Sequence, residues 1–265
     1  MLLWTRRSRA LVLGIFGAVV LVVFVAPLAT VVLAALAGSW TGALPSQLGF
    51  MHLADALTGE NLASLSVSLQ TAFIAGGIAL VLGTWAALAA REAPGWLSRV
   101  TDAVFHLPIA VPSVAIGLGL LIAFNSQPLL LGGTRWIVIL AHAVLVLAFS
   151  FSAVSAALDR LDPAFRQAAE SLGASPIRVL TRVTLPLLLP ALGAAAGLAV
   201  ALSMGELGAT VMVYPATWKT LPVTIFALTD RGQAFQAAAC TSILLAVTLL
   251  ALVALGRIRG RAAVR

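Results

Sequence analysis

Long apolar stretches constrain this chain more than any other feature of its sequence. A helix needs about 20 consecutive apolar residues to cross the hydrocarbon core of a bilayer. Six stretches reach that length, and they occupy residues 10–37, 62–90, 103–124, 136–158, 187–213 and 234–256. Only 9% of all residues are charged, whereas a soluble domain carries about a quarter. The sequence therefore predicts an all-α polytopic membrane protein with about six transmembrane helices.

Nothing in the sequence divides the chain into separate domains. The six stretches do not alternate polar and apolar residues as barrel strands do, so helices must satisfy the backbone inside the membrane. No internal repeat and no long linker interrupts the sequence, and we expect residues 1–265 to form a single transmembrane domain. The first apolar run, residues 10–37, is far longer than the roughly 7–15 apolar residues of a signal-peptide core. We therefore interpret it as a retained helix.

Basic residues set the expected orientation. If the N-terminus faces the cytoplasm, six spans place residues 1–9, 91–102, 159–186 and 257–265 on the inner side. These segments hold 3, 2, 4 and 4 of the 16 Lys and Arg residues, and the other three lie outside. Cytoplasmic loops carry an excess of Lys and Arg, so we predict that both termini are cytoplasmic. This distribution also accounts for the formal net charge of +7 without a nucleic-acid partner.

The inner connection at residues 159–186 is the longest, and its pattern predicts two short helices. Asp162 precedes Pro163, and this pair suits a helix start because Asp caps free amides and Pro tolerates the first turn. Gly173 suits the left-handed residue that ends a helix. A second helix is expected to start at Pro176 and to run toward the fifth span.

Two interpretations of this connection remain open from the residues alone. It could lie on the inner leaflet as an amphipathic loop whose arginines face lipid phosphates. It could instead be a docking surface, because its small alanines permit close approach and Phe165 supplies an aromatic anchor of the kind that dominates interfaces.

The same segment resembles the EAA loop of type I ABC importer permeases. That family pattern is Glu-Ala-Ala, three residues, Gly, nine residues, Ile, any residue, then Leu-Pro. Here the matching residues, at the same spacing, are Gln167, Ala168, Ala169, Gly173, Val183, Leu185 and Pro186. The chain departs from the pattern at Gln167 and Val183, and the change at Gln167 removes a charge that could act at an interface.

Further stretches resemble one branch of this family, the permeases for oxyanions, iron and phosphonates, including 2-aminoethylphosphonate. The run "LPIAVPSVAIGLGLL" from Leu107 is similar to the proline-interrupted third helix of these proteins. Pro108 and Pro112 would bend that helix, since each removes a backbone donor. The runs "GELGAT" at 205–210 and "YPATWKTLPVTIFALTDRG" at 214–232 also resemble this branch.

The resemblance implies a transport subunit without chemistry of its own. It implies a type I ABC importer permease fold in a bacterial inner membrane, with a cytoplasmic coupling loop at 159–186 that contacts an ABC ATPase dimer. The coupling residues that it implies are Gln167, Ala168, Ala169, Gly173, Leu185 and Pro186, and to these we add the aromatic anchor Phe165. It also implies a second permease, identical or paralogous, and an extracytoplasmic solute-binding protein. The implied solute is 2-aminoethylphosphonate or another small anion.

The residues agree with an ATPase on another chain and argue against an enzyme. A phosphate-binding loop ends in Gly-Lys-Ser or Gly-Lys-Thr, but Lys219 is the only lysine and follows a tryptophan. The three histidines are far apart in sequence, so we predict no catalytic residue, no metal site and no cofactor. We expect His142, inside the fourth span, to make a helix-to-helix hydrogen bond.

A stand-alone secondary transporter or channel is the alternative function. Such proteins usually carry several intramembrane charges, or interrupted helices in paired halves. This chain shows no repeat, and its apolar runs contain a single carboxylate, that of Glu206.

Glu206 needs an explanation because an acid near the bilayer centre costs about 2.5–3.5 kcal/mol. On a continuous helix it would lie about 12 Å from the helix end at Tyr214, at about 1.5 Å per residue. One interpretation is a structural acid, neutral or hydrogen-bonded to a neighbouring helix. The other is that Glu206 lines the outer end of the solute path, for which Pro108 and Pro112 form a candidate gate. There it could meet the ammonium group of a zwitterion such as 2-aminoethylphosphonate.

Overall fold

The computed structural model describes residues 6–262, apart from the side chains of Arg7 and of residues 258–262. Almost all of this part of the chain is helical, and no β-strand forms within it. The predicted all-α fold class is therefore confirmed. The predicted cytoplasmic placement of both chain ends concerns residues 1–5 and 263–265, which lie outside the described residues.

The described helices follow one another closely along the chain. They are α1 (Arg6–Val20), α2 (Ala26–Leu36), α3 (Met51–Ala56), α4 (Gly59–Glu92), α5 (Gly95–Ala110), α6 (Ser113–Ala123), α7 (Arg135–Asp159), α8 (Pro163–Ser171), α9 (Pro176–Val179), α10 (Leu185–Met204), α11 (Gly208–Val213), α12 (Leu221–Asp230) and α13 (Ala234–Ala262). Two π-helical turns, Leu21–Val25 and Leu180–Thr184, join α1 to α2 and α9 to α10.

Five helical segments within the described residues are long and apolar enough to cross a membrane, and the bent pair α5 and α6 can supply a sixth. The five are Ser8–Leu36, Gly59–Glu92, Arg135–Asp159, Pro176–Met204 and Ala234–Arg257. All six predicted apolar runs therefore fall on helices. Two of the runs, the third and the fifth, are not continuous helices.

The third run is broken rather than kinked. Helix α5 ends at Ala110, α6 starts at Ser113, and the two axes are bent by 105°. Pro112 disfavours the helical conformation for the residue before it, and Val111 is extended, with φ −103° and ψ 131°. Pro108, by contrast, lies inside α5. The break therefore depends on Pro112.

The fifth run begins earlier and ends earlier than its apolar pattern predicts. The second helix of the 159–186 connection is not short, because the helical segment Pro176–Met204 continues from it into the membrane span. The π-helical turn Leu180–Thr184 lies just before Pro186, which has no N–H to donate. The span then stops at Met204, and residues 205–207 separate it from α11.

The chain forms two compact units, of which the first combines the residues up to Leu62 with Thr224–Ile243. In this unit only 6% of the most apolar window of Ser8–Leu36 is buried, as lipid-facing side chains would be without a protein partner. Two hydrogen bonds connect α3 with α13. His52 Nδ1 lies 3.2 Å from Gln236 Oε1, and Gln236 Nε2 donates to the His52 carbonyl at 3.3 Å.

The second unit, Ala63–Val223 with Leu244–Arg265, is built around α7. Helix α7 contacts α5, α6, α10 and α11, and 61% of its most apolar window is buried. One core cluster, in the half of α7 nearest α8, consists of Ala87, Phe151, Val154, Leu158 and Leu188. A second cluster, at the start of α7, consists of Ile137, Val138, Ala141, Ala209 and Val213. Helix α7 contacts both pieces of each broken span, so it is the common helix against which they pack.

Candidate functional site

Both helix breaks of the second unit open onto one cavity of about 210 Å³. Its lining combines apolar side chains with a carboxylate, an imidazole and two hydroxyls. The lining residues are Pro108, Ile109, Val111, Ser113, His142, Leu145, Val146, Phe149, Leu202, Ser203 and Glu206. A few polar groups converging in a largely apolar cavity are typical of a small-molecule site.

Glu206 lies in the break between α10 and α11, not within a helix. Helix α10 ends at Met204, and Gly205 follows as its C-cap residue. The Glu206 Oε1 atom accepts a hydrogen bond from the Ala209 N–H at 2.7 Å. A carboxylate in this position satisfies a free amide of the first turn and faces the positive end of the helix dipole. Glu206 therefore caps α11.

The expectation of a continuous helix, from which a distance of about 12 Å between Glu206 and Tyr214 followed, is therefore wrong. The helix does not pass through residues 205–207, because Gly205 weakens it and the Glu206 side chain competes for a backbone N–H. Glu206 itself is half-buried and lines the cavity, as does Pro108. Pro112 causes the facing break, and its neighbours Val111 and Ser113 line the cavity.

Helices α6 and α11 approach very closely beside this cavity. Gly117 is buried in α6, and a Cβ there would lie only 2.6 Å from the Ala209 carbonyl oxygen. The helix pieces that follow the two breaks thus pack against each other backbone to backbone.

His142 connects the two sides of the Glu206 break. Its Nδ1 lies 2.7 Å from Ser203 Oγ in the last turn of α10, and its Nε2 lies 2.8 Å from Thr210 Oγ1 in α11. Only 1% of His142 is exposed. The predicted helix-to-helix hydrogen bond of His142 is confirmed, and there are two such bonds.

The second candidate region is the connection around α8. The Asp162 carboxylate accepts from the Ala164 N–H at 2.9 Å, and Pro163 occupies the first turn, as predicted. Gly173 has φ +78°, and its N–H donates to the Glu170 carbonyl at 2.9 Å. The predicted left-handed end of α8 is confirmed.

Helices α8 and α9 and the turn between them leave large apolar side chains uncovered. The exposed fractions are 55% for Phe165, 88% for Leu172 and 75% for Ile177. Of the other predicted coupling residues, Ala169 and Leu185 are half-buried, whereas Gln167, Ala168, Gly173 and Pro186 are exposed. We call Phe165, Leu172 and Ile177 the α8 patch.

An ion pair of Arg166 connects α8 with the end of α4. Arg166 Nη1 lies 2.7 Å from Glu92 Oε1, and its Nε lies 3.6 Å from Glu170 Oε1. A cavity of about 710 Å³, lined by Phe165 and Arg166 on one side and by Val183 and Leu187 on the other, lies under α8. Open space therefore separates part of α8 from the helical segment that begins at Pro176.

Sequence reasoning did not identify Ser113, Ser203 and Thr210 as parts of the cavity and its hydrogen-bond network. Single hydroxyl residues in apolar runs carry little signal, and His142 is 61 and 68 residues away along the chain from Ser203 and Thr210. Within the described residues, no group of three or more His, Cys, Asp or Glu is arranged to hold a metal ion.

Comparison with known proteins gives the family. Residues 79–262 match the family described as binding-protein-dependent transport system inner membrane component. The putative 2-aminoethylphosphonate transport system permease protein PhnV of Salmonella paratyphi A is 46% identical over 261 residues, which cover 98% of each chain. The sulfate transport system permease protein CysT of Salmonella typhimurium is 30% identical, over 82% of this chain and 83% of its own.

A solved structure shares the fold. It is the crystal structure of a bacterial ABC transporter involved in the import of the acidic polysaccharide alginate, with a TM-score of 0.74 and 17% identity over 97% of this chain and 96% of that chain. The chain thus has the type I ABC importer permease fold. It belongs to the family of binding-protein-dependent transport system inner membrane components and is a membrane-spanning permease subunit of an ABC importer.

Proposed function

We propose that this permease carries 2-aminoethylphosphonate, or another small anion, across a bacterial inner membrane, with both chain ends in the cytoplasm. In this proposal a second permease, identical or paralogous, completes the solute path. An extracytoplasmic binding protein delivers the solute, and a cytoplasmic ABC ATPase dimer supplies the energy. The name of the Salmonella relative supports this solute, since the 46% identity extends over 98% of both chains. Because the chain belongs to the family of ABC importer permeases, we propose this function rather than that of a stand-alone transporter or channel.

The Glu206 carboxylate carries the proposal for the solute. Its Oε1 atom accepts from Ala209, whereas its Oε2 atom has no hydrogen-bond partner among the described residues, and the side chain lines the cavity. 2-Aminoethylphosphonate is a zwitterion, so its ammonium group can pair with this carboxylate. An anion without an ammonium group would be repelled unless the carboxyl group were protonated or paired.

The position of the cavity supports its role in the path. Transporters commonly bind solutes between the ends of discontinuous helices, where the backbone is irregular and can rearrange. Here the α5–α6 break and the α10–α11 break both border the cavity. We propose that Pro108 and Pro112, on the α5–α6 side, form the gate of this path.

We further propose that α8 couples the permease to its ATPase. The coupling residues in this proposal are Phe165, Gln167, Ala168, Ala169, Gly173, Leu185 and Pro186. The exposed α8 patch supports it, because a large uncovered apolar surface rimmed by polar residues is typical of an interaction site. The ion pair between Arg166 and Glu92 would hold α8 in place for docking.

Growth on a single phosphorus source tests the solute. Deletion of the gene for this permease should abolish growth of its host with 2-aminoethylphosphonate as sole phosphorus source and leave growth on inorganic phosphate unchanged. Plasmid-borne wild-type permease should restore growth. Unimpaired growth of the deletion strain, together with unchanged uptake of radiolabelled 2-aminoethylphosphonate, would contradict the proposed solute.

Three substitutions at one position test the role of the carboxylate. Glu206→Asp keeps the charge, Glu206→Gln keeps the shape and hydrogen bonding, and Glu206→Leu removes both. We expect uptake of 2-aminoethylphosphonate to fall in the order wild type, Glu206→Asp, Glu206→Gln, with equal amounts of permease in the membrane. If Glu206→Gln transports like wild type and Glu206→Leu merely fails to accumulate, Glu206 is structural.

A further inference from the structure

We propose that His142 is a positioning residue for transport: it fixes the break between α10 and α11 and thereby aims the Glu206 carboxylate into the cavity. The identity of the solute rests on the function proposed above. The positioning itself can be measured without any solute.

We assign one consistent direction to the hydrogen bonds around His142, starting from Thr210. Thr210 Oγ1 donates its one proton to the Glu206 carbonyl at 3.3 Å, so it accepts from His142 Nε2. In the neutral ring Nδ1 is then an acceptor, and Ser203 Oγ donates to it. The assigned chain of donors therefore runs from Ser203 through His142 and Thr210 to Glu206.

The hydrogen-bond network of Ser203, His142 and Thr210 is buried, so water cannot replace its bonds. The exposed fractions of His142, Ser203 and Thr210 are 1%, 3% and 0%. A buried polar group that loses its partner bears the full cost of desolvation. The members of the chain are therefore expected to form and break their hydrogen bonds together.

The hydrogen-bond network bridges the part of the fifth apolar run that is not helical. Ser203 belongs to α10 and Thr210 to α11, and the intervening break is residues 205–207. His142 lies on α7, the helix that packs against both pieces. The separation and direction of α10 and α11 therefore depend on their hydrogen bonds to the same third helix.

Glu206 is attached to α11 at two points. Its carbonyl accepts from Thr210 Oγ1, and its Oε1 atom accepts from the Ala209 N–H. Any movement of α11 therefore moves the carboxylate as well. Because both ring nitrogens of His142 are engaged, His142 has no polar atom left for a solute, although it borders the cavity. It acts through Glu206.

Thiol labelling tests the positioning in the assembled transporter. The buried native thiol is first removed by Cys240→Ala. Glu206→Cys is then labelled with the cationic reagent methanethiosulfonate ethylammonium, and the rate is compared in Thr210→Val, Thr210→Ser, His142→Phe and Ser203→Ala backgrounds. Thr210→Val removes the hydroxyl at nearly constant shape, whereas Thr210→Ser retains it.

We expect Thr210→Val and His142→Phe to change the labelling rate at position 206 by about tenfold, a factor within the range expected for one net hydrogen bond. Thr210→Ser should stay near the parent rate. Leu202→Cys is the matched control, because Leu202 borders the same cavity but lies within α10, before the break. Equal changes at positions 202 and 206, or no change at 206, would overturn the proposal.

Transport by permeases without the cysteine substitutions provides an independent readout. Thr210→Val should reduce uptake of 2-aminoethylphosphonate, Thr210→Ser should restore it, and Thr210→Val combined with Glu206→Gln should lose no more than the worse single variant. Losses that multiply would mean that Thr210 acts separately from Glu206, contrary to the proposal. If Glu206→Gln alone transports normally, the proposed solute contact fails, while the labelling result still decides the positioning.

Discussion

Gly117 and Ala209 are in backbone contact: a Cβ on Gly117 would lie 2.6 Å from the Ala209 carbonyl oxygen and 2.8 Å from its Cα. Because the neighbouring atoms are backbone, they cannot rotate away as a side chain could. This contact holds the two helix pieces that follow the breaks, α6 and α11, against each other.

Gly117→Ala is therefore expected to destabilise the permease by about 1–3 kcal/mol, the usual cost of overpacking a core. The measurement is the midpoint of thermal unfolding in detergent, together with uptake. Gly119→Ala is the control, because Gly119 lies on the same helix as Gly117 and a Cβ added to it would meet no atom within 4 Å. Equal midpoints for the two variants would show that the α6–α11 contact is not tight.

The left-handed end of α8 predicts a graded series at Gly173. This residue has φ +78°, and a Cβ added to it would meet no atom within 4 Å, so any penalty there comes from the backbone alone. Gly173→Val should strain this residue by roughly 1–2 kcal/mol, whereas Gly173→Asn should be milder because Asn visits this conformation more readily. We expect Gly173→Val to weaken copurification of the ATPase and reduce uptake, and Gly173→Asn to lie between it and wild type. Identical behaviour of the two variants would contradict a backbone cause.

Phe165 is the aromatic member of the α8 patch, and its removal should weaken ATPase docking. Phe165→Ala is expected to lower the amount of ATPase that copurifies and the rate of uptake, without lowering the unfolding temperature, because the side chain is 55% exposed. Phe226→Ala is a matched control, since Phe226 is 53% exposed and belongs to α12. If Phe165→Ala retains its ATPase as Phe226→Ala does, the α8 patch is not the docking surface.

The proposed orientation can be decided with two exposed positions in a Cys240→Ala background. Ser171 at the end of α8 should be cytoplasmic, and Ala216, in the connection after α11, should face outside. A membrane-impermeant maleimide added to intact cells should label Ala216→Cys and should reach Ser171→Cys only after the cells are opened. Labelling of Ser171→Cys in intact cells would reverse the topology.

Patterns that depend on local backbone chemistry were predictable from the sequence. Six apolar runs were sufficient to predict an all-α membrane protein, because in lipid only helices of that length satisfy the backbone. The ends of α8 were equally predictable, since Asp162, Pro163 and Gly173 each act within one turn. Pro112 indicated an interruption but not its size, which is a bend of 105°.

Features that depend on tertiary contacts were not predictable. The break at Glu206 lies inside a continuous apolar run: Gly205 weakens the helix locally, but the break also depends on the carboxylate capping α11 and on His142 holding Ser203 and Thr210 on either side. Helix α12 was also missed from the apolar pattern, because its 10 residues are too few to span a membrane.

The continuity of the helical segment Pro176–Met204 has a mechanical consequence. The helical segment Pro176–Met204 runs without an intervening loop from the residue after the α8 turn to the break that contains Glu206. At about 1.5 Å per residue its 29 residues form a lever roughly 43 Å long, and a tilt of about 5° at one end would displace the other by about 4 Å. Its compliant points are the π-helical turn Leu180–Thr184 and Pro190. The bending stiffness of this segment determines how much of a displacement at its Pro176 end reaches the Glu206 carboxylate, and how much is absorbed by bending at those points.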